Sequence, residues 1–159
     1  MIAETVSHKI ADFLSAEDIF LDLPATDKAE LFDFIGRHME KTHGLPAEMV
    51  ARSLSRREQV GSTGLGYGIA IPHARIGGLD RILGFYARLR SPIPFQAPDG
   101  KPVLDVLALL VPAPGIDEHL LVLAEATQMF ASRRFRDLLH ACSGNHDVLR
   151  LFSARDRSD

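Results

Sequence analysis

Val103-Leu104-Asp105-Val106-Leu107-Ala108-Leu109-Leu110-Val111 is the longest apolar run of the chain, leucine-rich and β-branched, and it has the length of a strand. Asp105 interrupts it, and it falls far short of the roughly 20 apolar residues that a bilayer demands. Ile82 to Leu89 has the same character, and Pro92, Pro94, Pro98 and the turn Asp99-Gly100 separate the two runs. A hairpin or a neighbouring pair of strands is expected there. Downstream, beyond Gly115, the stretch Glu118 to Phe130 sets Leu120, Leu123, Ala124, Thr127 and Phe130 on one helical face, and shorter helices are expected near Phe135 to Ala141 and Asp147 to Phe152. Upstream, Thr26 can cap a helix whose apolar face carries Leu31, Phe32, Ile35 and Met39 and which Gly44 ends. Pro46 opens a second helix with Met49, Val50 and Leu54. Helices precede the strands and helices follow them, an order that predicts an α/β fold, a mixed β-sheet flanked by helices on both faces.

The chain has 159 residues, the size of one compact domain, so 1–159 is read as a single unit with frayed ends at 1–8 and 154–159. Hydrophobic residues make up 46% and charged residues 25%, ordinary values for a globular protein that favour neither disorder nor a membrane class. The first residues carry Glu4, Thr5, Ser7 and His8 instead of a basic region followed by an apolar block, so no secretory signal is read and a cytoplasmic location is expected. Cys142 is the only cysteine, which excludes an internal disulfide and agrees with a reducing compartment. Nothing around it except neighbouring histidines looks activating, and it is read as a poor nucleophile. The net charge of −3 lacks the basic excess of a nucleic-acid binder.

Between the second helix and the strands lies Gly61-Ser62-Thr63-Gly64-Leu65-Gly66-Tyr67-Gly68, whose glycines suit a loop. Ile69-Ala70-Ile71 then reads as a short strand limited by Pro72, which puts His73 at a strand end. There one ring nitrogen can be tied by a backbone carbonyl while the other meets a partner. An imidazole with an ordinary pKa of about 6.5 is largely neutral near pH 7 and can attack phosphorus. Phosphoryl transfer depends on positioning and on neutralising the equatorial oxygens. Arg57 supplies a cation, Ser62 and Thr63 supply hydroxyls, and Gly64 and Gly66 allow an anion or a partner to approach the backbone. The loop lacks the Lys-Ser/Thr ending of a nucleotide-binding P-loop. His119 opens a predicted helix, where the free amides and the dipole favour anions.

The run from Ser55 to Ala74, Ser-Arg-Arg-Glu-Gln-Val-Gly-Ser-Thr-Gly-Leu-Gly-Tyr-Gly-Ile-Ala-Ile-Pro-His-Ala, resembles the phosphorylation-site motif of the enzyme IIA domains of the bacterial phosphotransferase system, fructose/mannitol type. Its Gly-Ser-Thr-Gly block and Ile-Ala-Ile-Pro-His ending are most similar to the nitrogen-regulatory branch. Leu109-Leu110-Val111-Pro112-Ala113 followed by Glu118-His119-Leu120 resembles the second histidine motif of that family. The resemblance implies the enzyme IIA fold of that type. It also implies phosphorylation of His73 by a histidine-containing phosphocarrier protein of the nitrogen branch, with Arg57 and His119 supporting the phosphoryl group and no cofactor. Regulatory targets such as potassium transporters or sensor kinases are implied in turn. The chain ends soon after its last helix and leaves no room for a permease domain, which favours a free-standing regulator. Tyr67 stands where related motifs often have a small polar residue, and a changed rim around His73 is expected from it.

Three other readings compete. A sugar-transport enzyme IIA would pass phosphate to a fructose or mannitol permease component. A non-catalytic binding module would use His73 only as a switch. A metal hydrolase would use His73, His119 and Asp117 as ligands, but these lack a tight zinc motif. His140, Cys142 and His146 form no convincing ligand set, and His8, His38 and His43 are read as surface residues.

Overall fold

The computed structural model describes residues 10–113 and 117–154. Of the expected frayed ends at 1–8 and 154–159, Ala154 closes the last helix instead, and the remaining positions, His8 among them, lie outside the described residues. Short 3-10 turns at Ile10–Phe13 and Ala16–Asp18 lead into β1 (Ile19–Leu23). There follow α1 (Lys28–His43), α2 (Ala47–Val60), β2 (Gly64–Gly66), β3 (Ile69–Ala70), β4 (His73–Ile76), β5 (Leu83–Ile93), β6 (Val103–Pro112), α3 (Asp117–Ala131), α4 (Arg133–Ala141) and α5 (Asn145–Ala154).

β5 and β6 are the antiparallel pair expected from their sequences, and they form the centre of a six-stranded mixed sheet in the order β1-β5-β6-β3-β2. β1 runs parallel to β5, β3 runs parallel to β6, and β4 pairs with β6 further along the same strand. Successive side chains of a strand point to opposite faces, and β6 divides accordingly. Val106, Ala108 and Leu110 join Leu31, Ile35, Met39, Val50 and Leu54 under α1 and α2. Leu107, Leu109 and Val111 join Val122, Phe130, Phe135, Leu139 and Phe152 under α3, α4 and α5. Helices cover both faces, as the order of elements predicts.

The first helix buries Leu31, Phe32, Ile35 and Met39 as its periodicity requires, and Gly44 closes it at φ 75°, a conformation that favours glycine. Its N-cap is Asp27, whose carboxylate accepts from the Glu30 amide at 2.9 Å. Thr26, expected to cap, instead donates its amide and hydroxyl to the Glu30 carboxylate at 2.8 and 2.7 Å, the other half of a reciprocal arrangement.

Four further expectations need correction. The Gly61 to Gly68 segment is not wholly loop: Gly64–Gly66 forms β2, paired antiparallel to β3, and Gly64 packs so closely on the β5–β6 connection that a Cβ would lie 2.9 Å from that of Ala97. His73 does not end a strand but begins one, since Pro72, lacking an amide hydrogen, only interrupts the extended backbone before β4. α3 turns a different face inward: His119, Val122, Ala126, Met129 and Phe130 are buried while Leu120 stays 63% exposed. That offset of one residue is a rotation of about 100°. Finally, His38 and His43 are not surface residues. Both direct Nε2 at Oδ1 of Asp18, at 2.7 and 3.2 Å, and the carboxylate between them is buried.

Candidate active site

The C-terminal turns of α2, the start of β4 and the start of α3 meet at one end of β6. His73 lies in register with Leu109, the Leu109 amide donates to the Pro72 carbonyl at 2.9 Å, and α3 begins five residues beyond the end of β6. Between these elements is a cleft of about 530 Å³ lined by Ser53, Arg56, Arg57, His73, Ala74, Arg75, Val111, His119, Leu120 and Leu123. The three residues of the predicted phosphoryl-transfer set, His73, Arg57 and His119, therefore share one cavity although they come from three separate elements.

The His73 ring is held by its own backbone. Nδ1 lies 2.9 Å from the carbonyl oxygen of Ile71, and a carbonyl only accepts, so Nδ1 carries the hydrogen and Nε2 keeps its lone pair. Burial pushes the His73 pKa below the ordinary histidine value. The Ile71 carbonyl opposes that shift, the Arg57 charge adds to it, and the Glu58 charge opposes it. The ring is thus neutral, in a defined tautomer, beside a guanidinium, which is the state in which an imidazole acts as a nucleophile toward phosphorus.

Arg57 is anchored by donating to the Gly61 carbonyl at 2.8 Å, and its neighbour Glu58 ties the surrounding segments together. Glu58 accepts from the Thr63 hydroxyl at 2.6 Å, the Thr63 amide at 3.1 Å and the Lys28 ammonium at 2.8 Å. α1, α2 and the segment leading to β2 are joined by that one buried carboxylate.

The remaining expected residues lie elsewhere. Ser62 donates to the Phe95 carbonyl at 2.6 Å and accepts from the Gly64 amide at 3.0 Å. Neither Ser62 nor Thr63 lines the cleft, and Gly64 and Gly66 serve the β2–β3 pairing. Tyr67 is not on the rim of His73. It sits in the β2–β3 turn at φ 60°, its ring under the Arg136 guanidinium at 4.1 Å. The register places it toward the start of β6, where Ile69 faces Asp105, and His73 faces Leu109 four residues, about 13 Å, further on.

Sequence reasoning missed Arg75, Arg56 and Ser53. The signal for Arg75 is legible: two positions beyond His73 in an extended segment, a side chain returns to the same side. Arg56 carries no such mark, because only the packing of α2 against β4 decides which side of the helix turns to the cleft. Burial pushes the Cys142 thiol up, in keeping with an unreactive cysteine. Among the described residues no group of His, Cys, Asp or Glu is arranged to hold a metal ion, and the Asp117 side chain lies outside them.

Comparison with known proteins places this geometry in a family. The chain is 31% identical over 144 residues to a "Nitrogen regulatory protein" of Bradyrhizobium diazoefficiens, covering 91% of this chain and 92% of the relative. It is 32% identical over 127 residues to the protein of the same name from Escherichia coli, covering 79% and 78%. The crystal structure of nitrogen regulatory protein IIA-Ntr from Neisseria meningitidis superposes with a TM-score of 0.85 at 38% identity, covering 90% of this chain and 98% of that one. The mannitol IIA of E. coli shares the fold, with a TM-score of 0.71 at 22% identity and coverage of 87% and 97%. The model of the phosphoenolpyruvate-dependent sugar phosphotransferase system EIIA 2 family matches residues 12–155, which span the cleft, both of its histidines and nearly every described element, and the chain belongs to that family.

Proposed function

We propose that the chain is a nitrogen-regulatory enzyme IIA that accepts a phosphoryl group on Nε2 of His73 from a histidine-containing phosphocarrier protein and controls partner proteins by its phosphorylation state. The observation that carries this reading is the bond from His73 Nδ1 to the Ile71 carbonyl, which leaves a neutral Nε2 as the free nitrogen in a cleft shared with Arg57 and His119. In-line attack by Nε2 forms the N–P bond as the donor's N–P bond breaks, so no water and no cofactor enters the balance. Arg57 neutralises the equatorial oxygens, and His119 supports the group from the opposite wall. No helix among the described residues is long and apolar enough to cross a membrane, in keeping with work in the cytoplasm. Targets such as potassium transporters or sensor kinases belong to the same reading.

A sugar-transport role is the second reading. Its support is a relative from Haloferax volcanii named "PTS system fructose-specific EIIA component", 30% identical over 137 residues. Phosphotransfer to a purified permease component separates the two.

The test is intact-mass analysis after incubation with phosphoenolpyruvate and the general phosphotransferase proteins of both branches, for wild type, His73→Ala and His119→Ala. One acid-labile phosphate lost with His73→Ala is the expected result. An unmodified wild type in the presence of competent donors overturns the carrier role.

A further inference from the structure

The cleft holds more positive charge than one phosphoryl group requires. Arg57, beside His73, is anchored on Gly61. Arg56 and Arg75 line the same cavity, are exposed, and have no acidic partner among the described residues. Glu58, the acid whose charge reaches His73, is buried and occupied by Lys28 and Thr63. No described carboxylate lines the cavity. α3 adds apolar surface to the lining beside His119: Leu120, 63% exposed, and Leu123.

We propose that the unphosphorylated cleft is a dock for an acidic segment of a partner protein, whose carboxylates pair with Arg56 and Arg75 while an apolar side chain beside them rests on Leu120 and Leu123. The inference rests on the carrier reading for its switch, and on cleft charge for its partner. Charge complementarity selects the occupant: a basic segment meets three arginines, and a purely apolar one leaves the guanidinium groups facing it unpaired.

Phosphorylation supplies the release. A phosphoryl group brings about −1.5 to −2 charges, so the described lining passes from three positive arginines to a net charge of about one. The added oxygens also occupy the space beside Arg57. An acidic segment loses most of its attraction and meets like charge, whereas a bare His73, kept neutral by burial, leaves the arginines free for it. The same event that loads the carrier therefore empties the dock.

The test uses the full chain and a phage-displayed library of random dodecapeptides, selected on immobilised unphosphorylated protein. Enriched peptides are then synthesised with a fluorophore and measured by anisotropy. The expected outcome is enrichment of Asp and Glu next to apolar residues, at least tenfold weaker binding to the Arg56→Glu/Arg75→Glu double variant, retention by Arg75→Lys, and release when His73 is phosphorylated. Unchanged thermal melting of the double variant separates lost docking from lost folding. Peptides without an acidic excess, no enrichment at all, or equal binding to the double variant overturn the dock. Intact mass is read in parallel: a chain that selects acidic peptides but takes no phosphate sinks the carrier reading and not the dock, and a chain that takes phosphate but selects none does the reverse.

Discussion

The carbonyl oxygen of Ile71 and Nδ1 of His73 lie 2.9 Å apart, two residues from each other along the chain on either side of Pro72. The His73 ring is therefore oriented by the backbone that delivers it, and its tautomer needs no second side chain. Burial first, with the Arg57 charge adding to it, lowers the pKa of this ring. Phosphate acceptance should stay level as pH falls from about 8 through the ordinary histidine value near 6.5, and decline only below it. A stopped-flow pH profile alongside an NMR titration of the His73 ring protons checks this. A midpoint at or above 6.5 in both contradicts it. The sign for stability follows: the unfolded chain takes up the proton first, so this ring costs stability as pH drops from the unfolded pKa toward the lower folded one.

Arg57→Ala should slow phosphoryl acceptance by about 100-fold, the usual loss when one donor to a developing anion is removed. The same variant should cost at most about 1 kcal/mol of stability, because what the fold loses is one exposed bond to the Gly61 carbonyl. Quench-flow rates and urea melts check the two halves, and Arg57→Lys should fall between, since an ammonium lacks the planar fork.

Asp18 is the buried carboxylate of the α1 side, accepting from His38 and His43 on Oδ1 and from Ser15 on Oδ2. Burial alone would raise its pKa, and those hydrogen bonds together with the His43 charge outweigh it, leaving it below the usual carboxylate value. Its stabilisation is present above the unfolded pKa of about 4 and is lost as pH falls through the lower folded value. Asp18→Ala should cost about 3 kcal/mol at pH 7, and Asp18→Asn should flatten the acid limb of stability against pH. Urea unfolding from pH 3 to 7 is the measurement.

Gly36 lies on the buried face of α1 against the start of α2, and a Cβ there would meet the Ala47 carbonyl oxygen at 2.4 Å. Alanine improves helix propensity by about 1 kcal/mol, yet Gly36→Ala should destabilise by about 1–3 kcal/mol because a backbone oxygen has no room to yield. A raised melting temperature would refute the contact.

The helical faces of α1 and α2 and the β5–β6 pair were legible because each carries a regular apolar period over enough residues to fix the face. α3 was misread because Leu120 and Leu123 look like core and instead line a cleft, while His119 and Met129 take the inward positions. β1 has no separate signal, since Ile19–Leu23 reads as part of an irregular opening until it is laid beside β5. His73, Arg57 and His119 could be named from residue chemistry and motif, but their meeting depends on three elements converging at the end of β6. The Asp18–His38 and Asp18–His43 contacts cross 20 and 25 positions of sequence and leave no local pattern at all.

Ser62 is bonded to the Phe95 carbonyl, and Gly64 lies against Ala97 with no space for a side chain. The glycine block that reads as a loop is thereby bolted to a neighbouring segment. On the carrier reading proposed above, a loading protein and its readers all meet an Arg57 whose anchor at Gly61 adjoins that fixed block. Encounter rates should then be set by collision geometry and charge steering, and the burden of adjusting shape passes to the visitors. Proteins that compete for the cleft are ranked by how nearly they fit it on arrival.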